Sequence, residues 1–183
     1  MDVQNGIVER FAENASPLLA TLARATTAAR ATGVPVIYVR LAFRPRSPEV
    51  SARNRAFAAA VGLGGLGVDD RATQIHPAVA AQAEDIVVIK KRVSAFAGSD
   101  LEVVLRSLEV DSLVLTGIST SGVVLSTLRA AADLDYELTV LHDGCADDDA
   151  EVHRVLLDKV FPRQAAVLST NEWIEHLGSP SSR

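Results

Sequence analysis

The stretch Gly117-Ile118-Ser119-Thr120-Ser121-Gly122-Val123-Val124-Leu125-Ser126-Thr127 reads as the end of an apolar strand, a tight turn and the start of a helix. Residues 113–115 ahead of it are wholly apolar, and Val124, Leu125, Leu128 and Ala132 behind it share one helical face. Strand, turn and helix in that order form one corner of a βαβ unit, and the rest of the chain repeats the unit. Short apolar runs recur at 34–40, 86–89, 138–141 and 165–168. Continuous apolarity over such lengths suits parallel strands covered on both faces.

Helical spacing fills the gaps. Ser16-Pro17 supplies a cap and first-turn proline for a helix carrying Leu18, Leu19, Leu22, Ala25 and Ala29, which Gly33 stops. Leu101, Val104, Leu105 and Leu108 form a second face, Val152, Val155, Leu156 and Val160 a third, and Trp173, Ile174 and Leu177 the last. The pattern predicts a single domain over 1–183 of α/β class, a three-layer α/β/α sandwich with a mainly parallel open sheet of Rossmann type. Ligands in such sheets bind beyond the carboxyl ends of the strands. Asp2, Lys90, residues 117–123 and Asp143 map to those ends.

Composition removes several classes of function. The 183 residues are 48% hydrophobic and 22% charged with net charge −5, and no run of Lys or Arg would track a phosphate backbone. No apolar stretch is long enough to span a bilayer, and no charged-then-apolar leader opens the sequence. The single Cys145 forbids an internal disulfide and points to a reducing compartment. The expectation is a soluble, cytoplasmic protein with no nucleic-acid or membrane partner. Met1-Asp2-Val3-Gln4-Asn5-Gly6 reads as the far end of a strand entering a turn, so the first strand is either a stub or begins upstream.

Residues 41–85 are the least regular part, with Phe43, Arg44, Arg46, Arg53, Arg55, Phe57 and a glycine cluster, as in a lid or an oligomer contact. Gly62-Leu63-Gly64-Gly65-Leu66-Gly67 satisfies G-x-G-x-x-G, but a helical pattern precedes it and no helix follows, so it reads as a loop and not a dinucleotide site. His76, His142, His153 and His176 are scattered without ligand spacing, and neither metal nor cofactor is implied. Residues 179–183 are expected to fray.

Three motifs together carry a resemblance that covers nearly the whole chain: D-x-Q-N at Asp2, K-x-R-x-S-A-F at Lys90, and the turn at Gly117. In this order they resemble the isochorismatase-like cysteine hydrolases, whose turn usually runs G-x-x-T-x-x-C-V-x-x-T. The resemblance implies a catalytic Asp, Lys and Cys; the first two fall on Asp2 and Lys90, and the nucleophile position is Val123. Lys91 competes with Lys90, and a one-residue shift would send it to the opposite side of the strand. The resemblance also implies a cis bond at Ile118–Ser119, an oxyanion hole from the backbone of Ser119 and Val123, and a homo-oligomer. Gln4, Phe43, Arg44, Ser121 and Gly122 are candidate substrate contacts, and Arg40, Arg44 and Arg46 candidate anion contacts.

Valine has no lone pair, which leaves three readings of the slot. In the first, Asp2 and Lys90 hydrolyse a small substrate without a covalent step, as in isochorismatases proper, which carry glycine where Val123 stands. In the second, Ser119, Ser121 or Cys145 replaces the nucleophile. In the third, the protein is a catalytically inactive binding or scaffold module, because losing the nucleophile of a covalent enzyme costs ~10⁶ in turnover in one protease. An α-amino group beside Asp2 would favour its carboxylate form and oppose a general-acid role.

Overall fold

The computed structural model describes residues 1–178, and no helix among them is long and apolar enough to cross a membrane. The expected fraying at 179–183 lies outside the described residues. The chain runs through a short helix α1 (Asn5–Val8), the long α2 (Ala12–Ala31), β1 (Ile37–Leu41), α3 (Arg55–Gly62), β2 (Ile86–Lys90), α4 (Leu101–Ser107) and β3 (Ser112–Ile118). A π-helical turn over Thr120–Val124 leads into α5 (Leu125–Ala132), then β4 (Glu137–Ala146), α6 (Ala150–Val155), β5 (Ala166–Leu168) and α7 (Thr170–Leu177). The α/β architecture agrees with the sequence reading.

All strand pairs are parallel, but the ladder falls into two parts, β1-β2 and β3-β4-β5. The first residues of the chain join them. The Asp2 N–H donates to Val39 O of β1 at 2.8 Å, while the Met1 amine donates to Thr116 O and Met1 O accepts from the Ile118 N–H of β3 at 3.0 and 3.2 Å. These are the rungs of a parallel strand one or two residues long. Ahead of Met1 the half-sheets part around an apolar cavity of about 230 Å³.

Two helical layers cover the sheet. On one face Ala25 and Ala29 of α2 meet Leu141 of β4 and Trp173 of α7, and Leu18, Leu19 and Leu22 pack with Tyr38 and Val3. On the other, Leu101 and Leu105 of α4 pack against Val39 and Val88, and Val124, Leu128 and Ala131 against Leu115 and Val140. Each fully buried Leu contributes roughly 1.5–3 kcal/mol. Strand alternation thus sends successive side chains into two apolar layers, which is why the runs lack polar positions.

One boundary differs from expectation. α2 starts at Ala12, so Pro17 lies inside the helix and not in its first turn. Proline forgoes one backbone bond there; buried Leu18, Leu19 and Leu22 hold the helix regardless. The 41–85 segment contains α3, capped by Asn54 accepting from the Phe57 N–H, and the glycine cluster forms the loop that follows it.

The joint at Met1 demands glycine at position 117. Gly117 has φ +145°, and a Cβ there would stand 2.2 Å from Met1 O. Gly117→Ala is expected to lose about 2 kcal/mol or more of stability, read as a lower urea midpoint; an unchanged midpoint would show that the joint tolerates displacement.

Candidate active site

Lys90 ends β2 and Asp2 follows the joint, which brings two residues distant in sequence to one point. Lys90 Nζ lies 2.7 Å from Asp2 Oδ2 and donates to Val93 O at 2.6 Å. Lys90 is 1% exposed and Asp2 6%, so the pair is withdrawn from water. Asp2 adopts φ +56°, a left-handed turn at the strand's end. Its Oδ1 is buried with no hydrogen-bond partner.

Burial pushes the Asp2 carboxyl above the usual aspartate range, against the opposing pull of the Lys90 ammonium and, more weakly, the Met1 amine. The expected effect of the α-amino group is therefore present in sign but outweighed by desolvation. Burial also lowers the proton affinity of that amine. Lys91 takes the other side of the strand, where Nζ donates to Ala42 O at 2.5 Å and lies 4.0 Å from Glu49.

The Gly117 turn has the implied cis bond at Ile118–Ser119. Ser119 caps the following turn by accepting from the Gly122 N–H at 3.1 Å, and a side chain at Gly122 would meet Ser119 Oγ at 2.6 Å. Val123 is 2% exposed and packs in the apolar cluster of Leu115, Val124, Leu128 and Cys145. The Ser121 N–H donates to Asp147 Oδ2 at 2.6 Å, so the chain's own carboxylate sits at this helix start.

Neither substitute hydroxyl nor thiol is primed for attack. Ser121 is exposed, and the histidine in the neighbourhood serves another residue: His153 Nδ1 lies 2.8 Å from Oγ1 of the buried Thr120. Burial lowers the proton affinity of His153. Cys145, buried in register with Gly117, has its thiol pushed up to about 12 by desolvation. A thiol so held is a small hydrophobe and not a nucleophile.

Most of the remaining candidate residues have partners within the protein. Gln4 is 2% exposed, and its amide donates to Leu41 O and Thr73 O and accepts from the Leu41 N–H, which satisfies it within the protein. Phe43 is fully buried, edge-on to Phe57 at 5.8 Å between ring centres. Arg40 donates to Val68 O and Thr73 O, and Arg44 is exposed and pairs with Glu49 at 2.7 Å. Arg46 is an exposed loop residue with φ +68°. Asp143 lies inside β4, not at its end, and accepts from the Thr170 N–H and hydroxyl at the start of α7. Sequence reasoning passed over Asp147 and the pairing of Thr120 with His153; a contact 33 residues apart leaves no local spacing to read.

The Isochorismatase domain family matches residues 1–172. The chain is 31% identical to the ureidoacrylate amidohydrolase RutB of Methylobacterium radiotolerans, with 99% of this chain and 79% of that protein covered. It is 31% identical to the N-carbamoylsarcosine amidase of Arthrobacter, over 87% of this chain and 61% of the relative. The isochorismatase family protein YecD of Escherichia coli O157:H7 is 41% identical over 56% of this chain and 55% of its own length. The chain thus spans only part of some relatives it matches. Among solved structures, an isochorismatase family protein from Burkholderia thailandensis superposes with TM-score 0.83 at 28% identity, covering 97% of this chain and 93% of that one.

Two outcomes follow from the site's burial. Cys145 should resist a thiol reagent at pH 8 in the folded protein and react once urea unfolds it; stoichiometric labelling of the native state would refute its burial. The Asp2 proton is held more tightly in the folded than in the unfolded chain, so its stabilising contribution is present below the ordinary value of 3.8 and is lost as pH rises through the higher folded value. Wild-type stability relative to Asp2→Asn should therefore decline from pH 4 upward, measured by urea denaturation; a rise would reverse the assignment.

Proposed function

The chain belongs to the isochorismatase family, and on that premise we propose that it hydrolyses a small molecule by general-acid catalysis from Asp2, assisted by Lys90, with no covalent cysteine intermediate. The observation that carries this reading is the buried pair itself: a carboxyl whose proton affinity burial raises, 2.7 Å from an ammonium. A carboxyl that keeps its proton nearer neutrality is suited to protonate a leaving group. In the proposed step the Asp2 proton passes to the leaving atom, water adds to the carbon being released, and the water's proton returns to Asp2. Lys90 stabilises negative charge on substrate or transition state.

The substrate class is a small carbonyl-bearing or anionic molecule. Two relatives named for amide hydrolysis support that breadth. Ser119 and Val123 backbone N–H groups are the proposed oxyanion donors. The single domain is proposed to act as a homo-oligomer, with Ser121 and Gly122 bordering the substrate; the interior hydrogen bonds of Gln4 and the burial of Phe43 argue against direct contacts from those two.

A second reading has its own observation. Val123 is nearly inaccessible in an apolar cluster, so the nucleophile position offers no group to turn a bound molecule over, as a binding module would have it.

A panel of small amides, ureido acids and enol ethers separates the two. Asp2→Asn should lower kcat/KM by ~10²–10⁴-fold, while Val123→Cys should add thiol reactivity and amide turnover. Wild-type protein that binds members of the panel yet releases no product would overturn the hydrolase in favour of the binding module.

A further inference from the structure

The segment that follows β4 grips the Gly117 turn at two neighbouring residues. Asp147 Oδ2 accepts from the Ser121 N–H at 2.6 Å, and His153 Nδ1, on α6, lies 2.8 Å from Thr120 Oγ1. Asp149 accepts from the Glu151 and Val152 N–H groups, which fixes the start of α6 and with it the place of His153. The proposed chemistry uses neither Thr120 nor His153. Yet Thr120 is fully buried at the head of the turn, and among the described residues His153 is the one hydrogen-bond partner of its hydroxyl.

That burial decides which way the bond runs. A hydroxyl has one hydrogen to donate, while a neutral imidazole has one N–H and one bare nitrogen. With the ring hydrogen on Nδ1, Thr120 would have to accept, and its own hydrogen would be left inside the protein without an acceptor, which buried polar groups rarely allow. With the ring hydrogen on Nε2, Thr120 donates to Nδ1 and no buried hydrogen goes unmatched. Protonating the ring removes that acceptor, because both nitrogens of an imidazolium donate. The turn is poorly placed to lose a tether. Its backbone closes through wide rings, Val124 N–H to Ser119 O and Leu125 N–H to Thr120 O, a form found mostly as single turns at functional sites.

We propose that His153 is a positioning residue for this turn: as the neutral Nε2–H tautomer it accepts the Thr120 hydroxyl and holds the Ser119 and Val123 backbone in place, and protonation releases them. That those two backbone N–H groups serve as oxyanion donors rests on the hydrolysis proposed above; the tether itself does not. The groups facing the ring set when release occurs. Burial disfavours the imidazolium most, the Asp147 carboxylate favours it, His142 of β4 opposes it and Asp158, just beyond α6, favours it. The turn itself carries no charged residue. Burial prevails, so the closed turn takes the proton less readily than an open one, and opening grows as pH falls below the ordinary histidine value of 6.5.

Heteronuclear NMR of the histidine rings in the 183-residue chain reads tautomer and titration, and amide hydrogen exchange at Val124 and Leu125 reads the turn. His153 is expected as the Nε2–H tautomer with its midpoint below 6.5. Protection at the two amides, corrected for intrinsic exchange, should fall about threefold or more as His153 titrates. Thr120→Val keeps the shape and removes the donor, so the His153 midpoint should move upward and the turn should lose protection even above it. His153→Asn supplies an amide acceptor near the Nδ1 position and should keep protection while removing its pH dependence; if that variant fails to fold, the wild type and Thr120→Val decide. A neutral ring with its hydrogen on Nδ1, or protection that stays level through the His153 titration, would overturn the proposal. None of these measurements needs turnover. With a hydrolysed member of the panel in hand, His153→Asn should also remove the acid-side fall of kcat/KM that follows the His153 midpoint, and a fall that persisted would overturn the positioning role. Wild-type protein without turnover would sink the hydrolysis alone, since the tautomer and exchange results decide the tether.

Discussion

Met1 and Asp2 supply backbone rungs to strands on both sides, and those rungs join the β1-β2 and β3-β4-β5 halves. The same residues turn sharply at Asp2 and deliver its carboxylate to Lys90. Local geometry around this joint is set by contact at backbone distance. Position 117 has no room for a side chain because Met1 O fills the space. The sheet and the candidate site therefore share one point of assembly, and a change that loosens the joint loosens both.

The buried pair is a balance of large opposing terms. Removing each ion from water costs roughly several kcal/mol, which mutual attraction offsets only with good geometry and full hydrogen bonding. Here the bonding is incomplete, since Asp2 Oδ1 has no partner. Desolvation consequently prevails for the acid, and its proton affinity rises despite an ammonium in contact. A solvated pair at the same distance would behave oppositely.

The layered fold was legible because apolar runs and helical stripes answer to periodicity alone. The choice of Lys90 over Lys91 came from the motif's interval to Ser94; strand alternation said only that the two would point apart, and they do, one to Asp2 and the other to Ala42. What stayed illegible were partners fixed by tertiary proximity. Nothing local marks Gln4 as a clamp between Leu41 and Thr73, Asp143 as the anchor of α7, or His153 as the companion of Thr120. Motif reading placed Gln4 and Phe43 near substrate from residue order, which carries no sign that the Gln4 amide is hydrogen-bonded within the fold or that Phe43 is buried. The start of α2 was misplaced because a proline near a serine is an ambiguous signal once tertiary packing can hold a helix through it.

The fate of sulfur in this molecule has a consequence for where it can work. Its one cysteine is sealed in the core and its proton held to about 12, and hydrocarbon occupies the slot at Val123. Peroxide and electrophiles attack exposed thiolates, and the chain's one thiol is buried. Oxidation of a catalytic thiol is therefore not a route by which peroxide reaches this site while Cys145 stays buried.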